Sequence, residues 1–302
     1  MVDITKKQDT LRKAVARAEL SVSSQDTIDA IRNRTVPKGD VFEFSRAAGL
    51  LAVKNTAAVI PDCHPLPVEY TSIRHEIDGL VVNIFVEVHT IYKTGVEVEA
   101  MHGASIVALT MYDMLKPIDK GIRISNIRLE SKIGGKTSYS MPAGASLKAA
   151  VVTCSDTLAA GRGEDISGKL IVDKLLAWGI RVMEHSVLPD DAQQIRIKLQ
   201  TLSELRYDLV IFTGGTGLSP RDITPDTVAP MLDREIPGLI EAARNYGQRR
   251  TPYAMLSRGV AGFIGKTLAI TFPGSPNAAA EYMDALFPYV LHLFKVADGE
   301  RH

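Results

Sequence analysis

Between residues 14 and 22 the chain alternates, with Ala14, Ala16, Ala18, Leu20 and Val22 on one side and Val15, Arg17, Glu19 and Ser21 on the other. A two-residue period predicts a half-buried strand. Ser24 to Arg34 then places Thr27, Ile28 and Ile31 at helical spacing, and Val41 to Val53 is too densely apolar to alternate, which predicts a buried helix. Ile73 and Ile77, followed by Val82, Ile84, Val86 and Val88, form two alternating runs joined at Asp78-Gly79, a hairpin signature because both residues tolerate positive φ. A long helix is predicted from Val98 to Leu115. The order β-α-α-β-β-α, with an antiparallel hairpin inside it, indicates an α+β fold for the first half.

The pattern changes beyond residue 138. Ser140-Met141-Pro142-Ala143-Gly144-Ala145-Ser146 has no periodicity, so a linker is expected over 139–147, between a domain at 1–138 and another at 148–302. In the second half, strands are predicted at 149–154, 182–188, 209–212 and 268–272, with helices at 168–178, 192–202 and 276–294. This rhythm of strand and helix predicts an α/β three-layer domain with a mostly parallel sheet, and ligands at the carboxyl ends of its strands.

The chain has 302 residues, matching two domains at roughly 150 each. Its 35 Lys+Arg balance 35 Asp+Glu. Zero net charge argues against nucleic acid or an anionic membrane as partner, since either needs an excess of cations. Phosphate recognition must then rest on locally placed groups. Cys63 and Cys154 lie far apart without a CxxC spacing, so no disulfide framework or thiolate zinc site is indicated. The first residues carry no apolar core of signal-peptide type, and the apolar stretch at 80–88 is interrupted by Asn83 and Glu87. A cytoplasmic protein is expected.

Candidate chemistry in the first half gathers at a few short segments. Pro37-Lys38-Gly39-Asp40 precedes a helix, so Lys38 is either a surface cation before an Asp40 N-cap or an anion-holding group beside free helix amides. Pro61-Asp62-Cys63-His64-Pro65 pins a histidine between prolines. In the long helix Glu99, His102, Ile106, Leu109, Asp113 and Lys116 fall along one stripe. Asp113 and Lys116 are then either a helix-surface ion pair or an acid/base pair that shifts each other's proton affinity.

With Met1-Val2-Asp3, Ala47-Ala48-Gly49, Lys93-Thr94-Gly95-Val96-Glu97, Met111-Tyr112-Asp113-Met114 and Gly134-Gly135-Lys136, these segments resemble the MoaC family. Its members are the cyclic pyranopterin monophosphate synthases of molybdenum cofactor biosynthesis. The resemblance covers residues 1–138 and implies a ferredoxin-like antiparallel sheet with helices. It also implies an activity without cofactor: a cyclic dihydro-GTP derivative rearranges to the pyranopterin as pyrophosphate leaves. Carried over, Asp113 is the acid/base residue, Lys38 and Lys116 are catalytic cations, and Cys63, His64, Val98, Glu99 and Lys136 are substrate contacts. The chemistry agrees, because departing pyrophosphate needs ammonium groups and ring rearrangement needs a carboxylate to move protons. Asp62, Tyr92 and Val98 depart from the family's usual residues.

In the second half Thr213-Gly214-Gly215-Thr216-Gly217 follows an apolar strand, where backbone N–H groups can face a phosphate; no Gly-Lys-Ser/Thr follows, so it is not a P-loop. Asp222 and Asp226 either bind Mg²⁺ or cap a helix, with Asp226 the better cap. Asp190 ends another strand, and Pro273-Gly274-Ser275 opens the closing helix. These segments, with Ser155-Asp156, Pro237-Gly238 and Leu256-Ser257-Arg258, resemble the MoaB/MogA molybdopterin-binding family over about 148–295. The resemblance implies adenylyl transfer from Mg·ATP to molybdopterin, with Asp190 and Asp222 catalytic and positioning Mg²⁺. It further implies substrate contacts at Ser155, Asp156, the loop Thr213, Gly214, Gly215, Thr216 and Gly217, and at Pro273, Gly274 and Ser275. The alternatives are a domain that only binds the pterin and a scaffold. Partners implied are small pterin and nucleotide substrates, other enzymes of the pathway, and further copies of the chain in a trimer or hexamer with three-fold symmetry.

Overall fold

The computed structural model describes residues 1–135 and 147–297. The chain divides into two compact units, Met1–Ser140 and Met141–His302. Lys136 and, except for residue 147, the expected linker lie outside the described residues.

In the first unit β1 (Thr10–Ser21) is followed by α1 (Gln25–Arg32), α2 (Val41–Lys54) and α3 (Thr56–Val59). Next come β2 (Tyr70–Asp78), β3 (Val81–Tyr92), α4 (Glu97–Leu115) and β4 (Arg123–Ile133). The sheet order is β2-β3-β1-β4, and every neighbouring pair is antiparallel. This is the ferredoxin-like arrangement. Ala14, Ala16, Ala18 and Leu20 of β1 and Val82, Ile84, Val86 and Val88 of β3 are buried on one face, which is the face that α4 covers. The helices α2 and α4 cross at glycines: a Cβ on Gly49 would lie 2.4 Å from Val107, and one on Gly103 2.7 Å from Val53.

Three details differ from the sequence reading. Strand β4 has no clean alternation to read, because its pairing with β1 shifts register at two places and Asn126 adopts a φ of 51°. The helix α2 is not buried all round, since Phe44 and Leu51 are 62% and 63% exposed. The hairpin turns on Gly79-Leu80 rather than Asp78-Gly79: Asp78 still pairs with Val81, and Gly79 takes the positive φ of 56°.

The second unit begins with β5 (Lys148–Cys154), α5 (Asp156–Ala159), α6 (Ile166–Ala177), β6 (Arg181–Leu188), α7 (Ala192–Glu204) and β7 (Leu209–Thr213). It continues with α8 (Thr224–Val228), β8 (Arg234–Glu235), α9 (Pro237–Gln248), β9 (Ala261–Ile264), β10 (Thr267–Phe272), α10 (Pro276–Leu286) and α11 (His292–Ala297). The sheet order is β6-β5-β7-β10-β9-β8; β6, β5, β7 and β10 are parallel, and β9 pairs antiparallel with both β10 and β8. Ala149 and Val151 of β5 pack with Ile171, Ile240 and Met283 on one side, Ala150 and Val152 with Ile195 and Leu199 on the other. Both faces of the sheet are therefore covered, giving three layers.

The closing helix expected over 276–294 stops at Leu286. Phe287 precedes Pro288, and the proline ring pushes the residue before it out of helical geometry. Helix α9 and the short antiparallel strands β8 and β9 were not anticipated, the strands being too brief for alternation to register.

Candidate active sites

Lys38 stands just ahead of α2, whose N-cap Asp40 accepts from the amides of Phe42 and Glu43. Asp113 is in the last turn of α4, with Lys116 at its C-cap. The Lys38 and Lys116 ammonium groups each lie 2.7 Å from an Asp113 carboxylate oxygen, one on each oxygen, and Lys38 also donates to the Asp113 carbonyl at 2.9 Å. Asp40 is thus the N-cap, and it occupies the helix amides that an anion beside Lys38 would have used, while Lys38 is paired with Asp113. Hydrogen bonds from Lys116 and then Lys38 hold the Asp113 carboxyl down to about 2, while Asp113 raises the proton affinity of Lys116. The cluster is a fixed carboxylate between two fixed ammoniums, open to solvent.

Cys63, Glu99 and their neighbours form a second cluster at the other end of α4. The Cys63 thiol donates to Glu99 Oε1 at 3.1 Å, and burial, reinforced by Glu99, pushes that thiol up to about 12. Glu99 is 2% exposed, and its Oε2 has no partner among the described residues. Burial raises the Glu99 carboxyl despite the Cys63 hydrogen bond. Val98 is exposed beside it. His64 Nε2 lies 2.8 Å from the Val2 carbonyl, which can only accept, so that nitrogen carries the proton. His102 pairs with Thr56 Oγ1 at 3.1 Å.

The stripe from Glu99 to Lys116 thus holds two separate groups. Glu99 and Asp113 are about four turns apart on α4, about 21 Å at 1.5 Å per residue, so one copy does not bring them together. Arg12 was not singled out by the sequence. Its Nε donates to the Tyr92 carbonyl at 3.3 Å, and a Cβ on Gly135 would meet its guanidinium at 2.4 Å, which sets a cation beside the glycine pair preceding Lys136. A lone arginine in an alternating strand carries no signal of this.

In the second unit the ends of β5, β6, β7 and β10 bring the expected residues to one edge of the sheet. The β5 strand lies between β6 and β7, where successive crossovers leave in opposite directions, the switch point at which such sheets bind ligands. The Asp156 amide donates to Asp190 Oδ2 at 3.2 Å, and the Asp190 amide to Asp156 Oδ1 at 3.1 Å. The other Asp156 oxygen pairs with Arg221. Asp190 Oδ1 is buried without a partner among the described residues. Burial, with repulsion from Asp156 and Asp222, raises the Asp190 carboxyl against the pull of the Asp156 amide and Arg221.

Glycine is required at 215: φ is +61°, and a Cβ would lie 2.4 Å from Thr224 Oγ1 and 3.0 Å from Asp190 Oδ1. Thr213 Oγ1 donates to the Pro273 carbonyl at 2.9 Å and Gly214 N to the Phe272 carbonyl at 3.0 Å, which couples the glycine loop to Pro273-Gly274. The Gly214 amide is therefore committed to the fold rather than offered to a phosphate. Ser155 caps α5, and Ser275 opens α10 without a side-chain cap. Asp222 Oδ2 accepts from the Ser219 amide at 2.8 Å.

Asp226 is not the cap of α8, whose N-cap position is Ile223. It pairs instead with Arg258 at 2.9 Å, and Arg258 also donates to the Gly217 carbonyl at 2.8 Å and to the Asp222 carbonyl. Arg258 thereby braces the loop that carries Asp222. Among the described residues no group of three or more His, Cys, Asp or Glu side chains is arranged to hold a metal. Mg²⁺ takes one or two carboxylates together with phosphate and water oxygens. An orphaned Asp190 oxygen among like charges fits an ion that arrives with a nucleotide's phosphates, not one caged by protein alone.

Residues 1–135 match the MoaC family, and residues 150–292 match a family described as "Probable molybdopterin binding domain". The chain is 37% identical over 302 residues to the molybdenum cofactor biosynthesis bifunctional protein of Chlorobaculum tepidum, an alignment covering 100% of this chain and 96% of that one. The chain belongs to this bifunctional family. A second member, from Synechococcus elongatus, is 32% identical over 315 residues, covering 100% of this chain and 98% of its own. The cyclic pyranopterin monophosphate synthase of Clostridium perfringens is 44% identical over 139 residues, 45% of this chain and 87% of that protein. The Asp113 cluster lies within the residues that match the MoaC family, and Asp190 and Asp222 within those that match the molybdopterin-binding domain. No described helix is long and apolar enough to cross a membrane.

Proposed function

We propose that the first unit converts a cyclic dihydro-GTP derivative to cyclic pyranopterin monophosphate with release of pyrophosphate. The observation that carries this is Asp113 held between Lys38 and Lys116. In the free protein the two ammoniums suppress the carboxylate's affinity for a proton. A polyphosphate that draws either lysine away restores that affinity, so substrate binding itself arms the base. The same lysines then take up charge as pyrophosphate departs. Asp113→Asn tests this: loss of pyranopterin formation with an unchanged unfolding transition supports the reading, and retained turnover defeats it.

The separation of the Cys63–Glu99 pair from Asp113 favours a site completed between copies in an assembly with three-fold symmetry. Mixing Asp113→Asn chains with Glu99→Gln chains tests this, because only a composite site regains activity on mixing. Light scattering that finds a monomer would exclude it.

For the second unit the reading is adenylyl transfer from Mg·ATP to molybdopterin. Asp190 and Asp222 would hold Mg²⁺ through their carboxylates, and the ion would offset repulsion as one phosphate approaches another. The chain's own part is to fix those carboxylates, through the Asp156 amide and the Ser219 amide. Purified chain mixed with molybdopterin, ATP and Mg²⁺ should release pyrophosphate and form an adenylylated product. Tight pterin binding without either would leave this unit a carrier.

A further inference from the structure

The second unit confronts a polyanion with three carboxylates, Asp156, Asp190 and Asp222, and the described cations near them differ sharply in how committed they are. Arg258 is spent on structure: its guanidinium contacts Gly217, Asp222 and Asp226, and its amide donates to the Thr216 carbonyl at 3.1 Å. Arg221 is the opposite case. It projects from the turn formed by Ser219 N–H on Asp222 Oδ2 and Asp222 N–H on the Ser219 carbonyl at 2.9 Å. Its side chain is 75% exposed, and the contact found for its guanidinium is the Asp156 carboxylate.

An ion pair with so exposed a guanidinium contributes little net stability. The planar guanidinium fork binds phosphate oxygens in pairs and more strongly. Breaking the pair leaves the surroundings in place, because Asp156 Oδ1 and both backbone amides of the Asp156–Asp190 clasp are held independently of Arg221.

We propose that Arg221 is an exchange cation: parked on Asp156 in the free protein, it transfers to the phosphates of the incoming nucleoside triphosphate and determines how tightly they are held. The proposal rests on the nucleotide reading of this unit given above. It extends that reading by assigning a role to Arg221 and a competing role to Asp156. Asp156 is then a rival of the ligand for the same guanidinium, and removing it should strengthen polyphosphate binding.

The test is calorimetric titration of inorganic tripolyphosphate into the full chain in EDTA at low salt, with Lys38→Gln and Lys116→Gln in the background so that the first unit's cations do not compete. Arg221→Gln should weaken binding about tenfold or more, with Arg221→Lys in between. Asp156→Asn, whose side-chain oxygen can still accept from the Asp190 amide, should tighten binding several-fold. Removing any negative charge would help an anion, so the double variant decides: under exchange, the gain from Asp156→Asn is markedly smaller once Arg221 is Gln, because only the general charge effect is left. A gain of undiminished size in the double variant, or equal weakening by both single changes, overturns the proposal. Absence of binding to the unsubstituted second unit would defeat the nucleotide reading, and this proposal with it. Binding with the wrong pattern among variants would defeat the exchange alone.

Discussion

Asp156 and Asp190 hold each other by reciprocal bonds, the backbone amide of each donating to the carboxylate of the other at 3.2 and 3.1 Å. The pair ties the end of β5 to the end of β6, so Asp190 positions the edge of the sheet as well as lending it charge. Replacing Asp190 with Ala should cost about 1–2 kcal/mol, since a half-buried amide loses its acceptor. Asn keeps that acceptor and should cost less than half as much. Denaturant unfolding of the second unit distinguishes the two, and equal losses would show that the clasp does not matter to stability.

Gly215 should not tolerate a side chain. At a φ of +61° alanine incurs about 1–2 kcal/mol of left-handed strain, and its Cβ would also meet Thr224 Oγ1 at 2.4 Å. Gly79, at a φ of +56° with nothing within 4 Å of a Cβ, is the control. Gly79→Asn should leave thermal unfolding nearly unchanged, while Gly215→Ala lowers the transition of the second unit and its affinity for nucleotide.

The Asp113 carboxyl should stay ionised far into acid. Its held value of about 2 predicts a carboxyl NMR signal that is flat from neutral pH to about pH 4. In Lys116→Gln the midpoint should climb toward the ordinary carboxylate range. A midpoint that fails to move would mean that the 2.7 Å contact is not populated in solution.

His75 stacks on Phe42 with ring centroids 4.4 Å apart and lies 3.3 Å from Ser45 Oγ. Burial, aided by Arg46, pushes it down to about 4. Its folded value is below the unfolded one, near 6.5, so the unfolded chain binds the extra proton. Stability from this group is therefore complete above about pH 6.5 and declines as pH falls toward about 4, by up to about 3 kcal/mol. His75→Gln should flatten that part of the first unit's stability profile between pH 7.5 and 4.5.

Cys63 should alkylate slowly at neutral pH, because burial and Glu99 keep it a thiol. Glu99→Gln removes the neighbouring charge and should speed iodoacetamide labelling. Unchanged labelling would place the effect in burial alone.

The sequence by itself determined what a short window can encode. Alternation in β1 and β3 follows from one buried sheet face, and the long apolar run of α4 from its burial against that sheet. Residue type and flanking turns were also enough to single out Lys38, Asp113, Asp190, Asp222 and the glycine loop as candidates, and to place each at or beside the end of an element.

Which groups meet was decided only by the tertiary structure. Lys38 and Asp113 are joined by the approach of α2 and α4, and Cys63 and Glu99 by the packing of a loop on the far end of the same helix. Helix geometry alone sets Glu99 and Asp113 about 21 Å apart, but which groups join each of them is not in the spacing. The irregular pairing of β4, the pairing of Asp226 with Arg258 in place of a cap, and the commitment of the Gly214 amide all rest on contacts between residues distant along the chain. A local pattern specifies which face of an element is buried, but long-range packing chooses the partner that buries it.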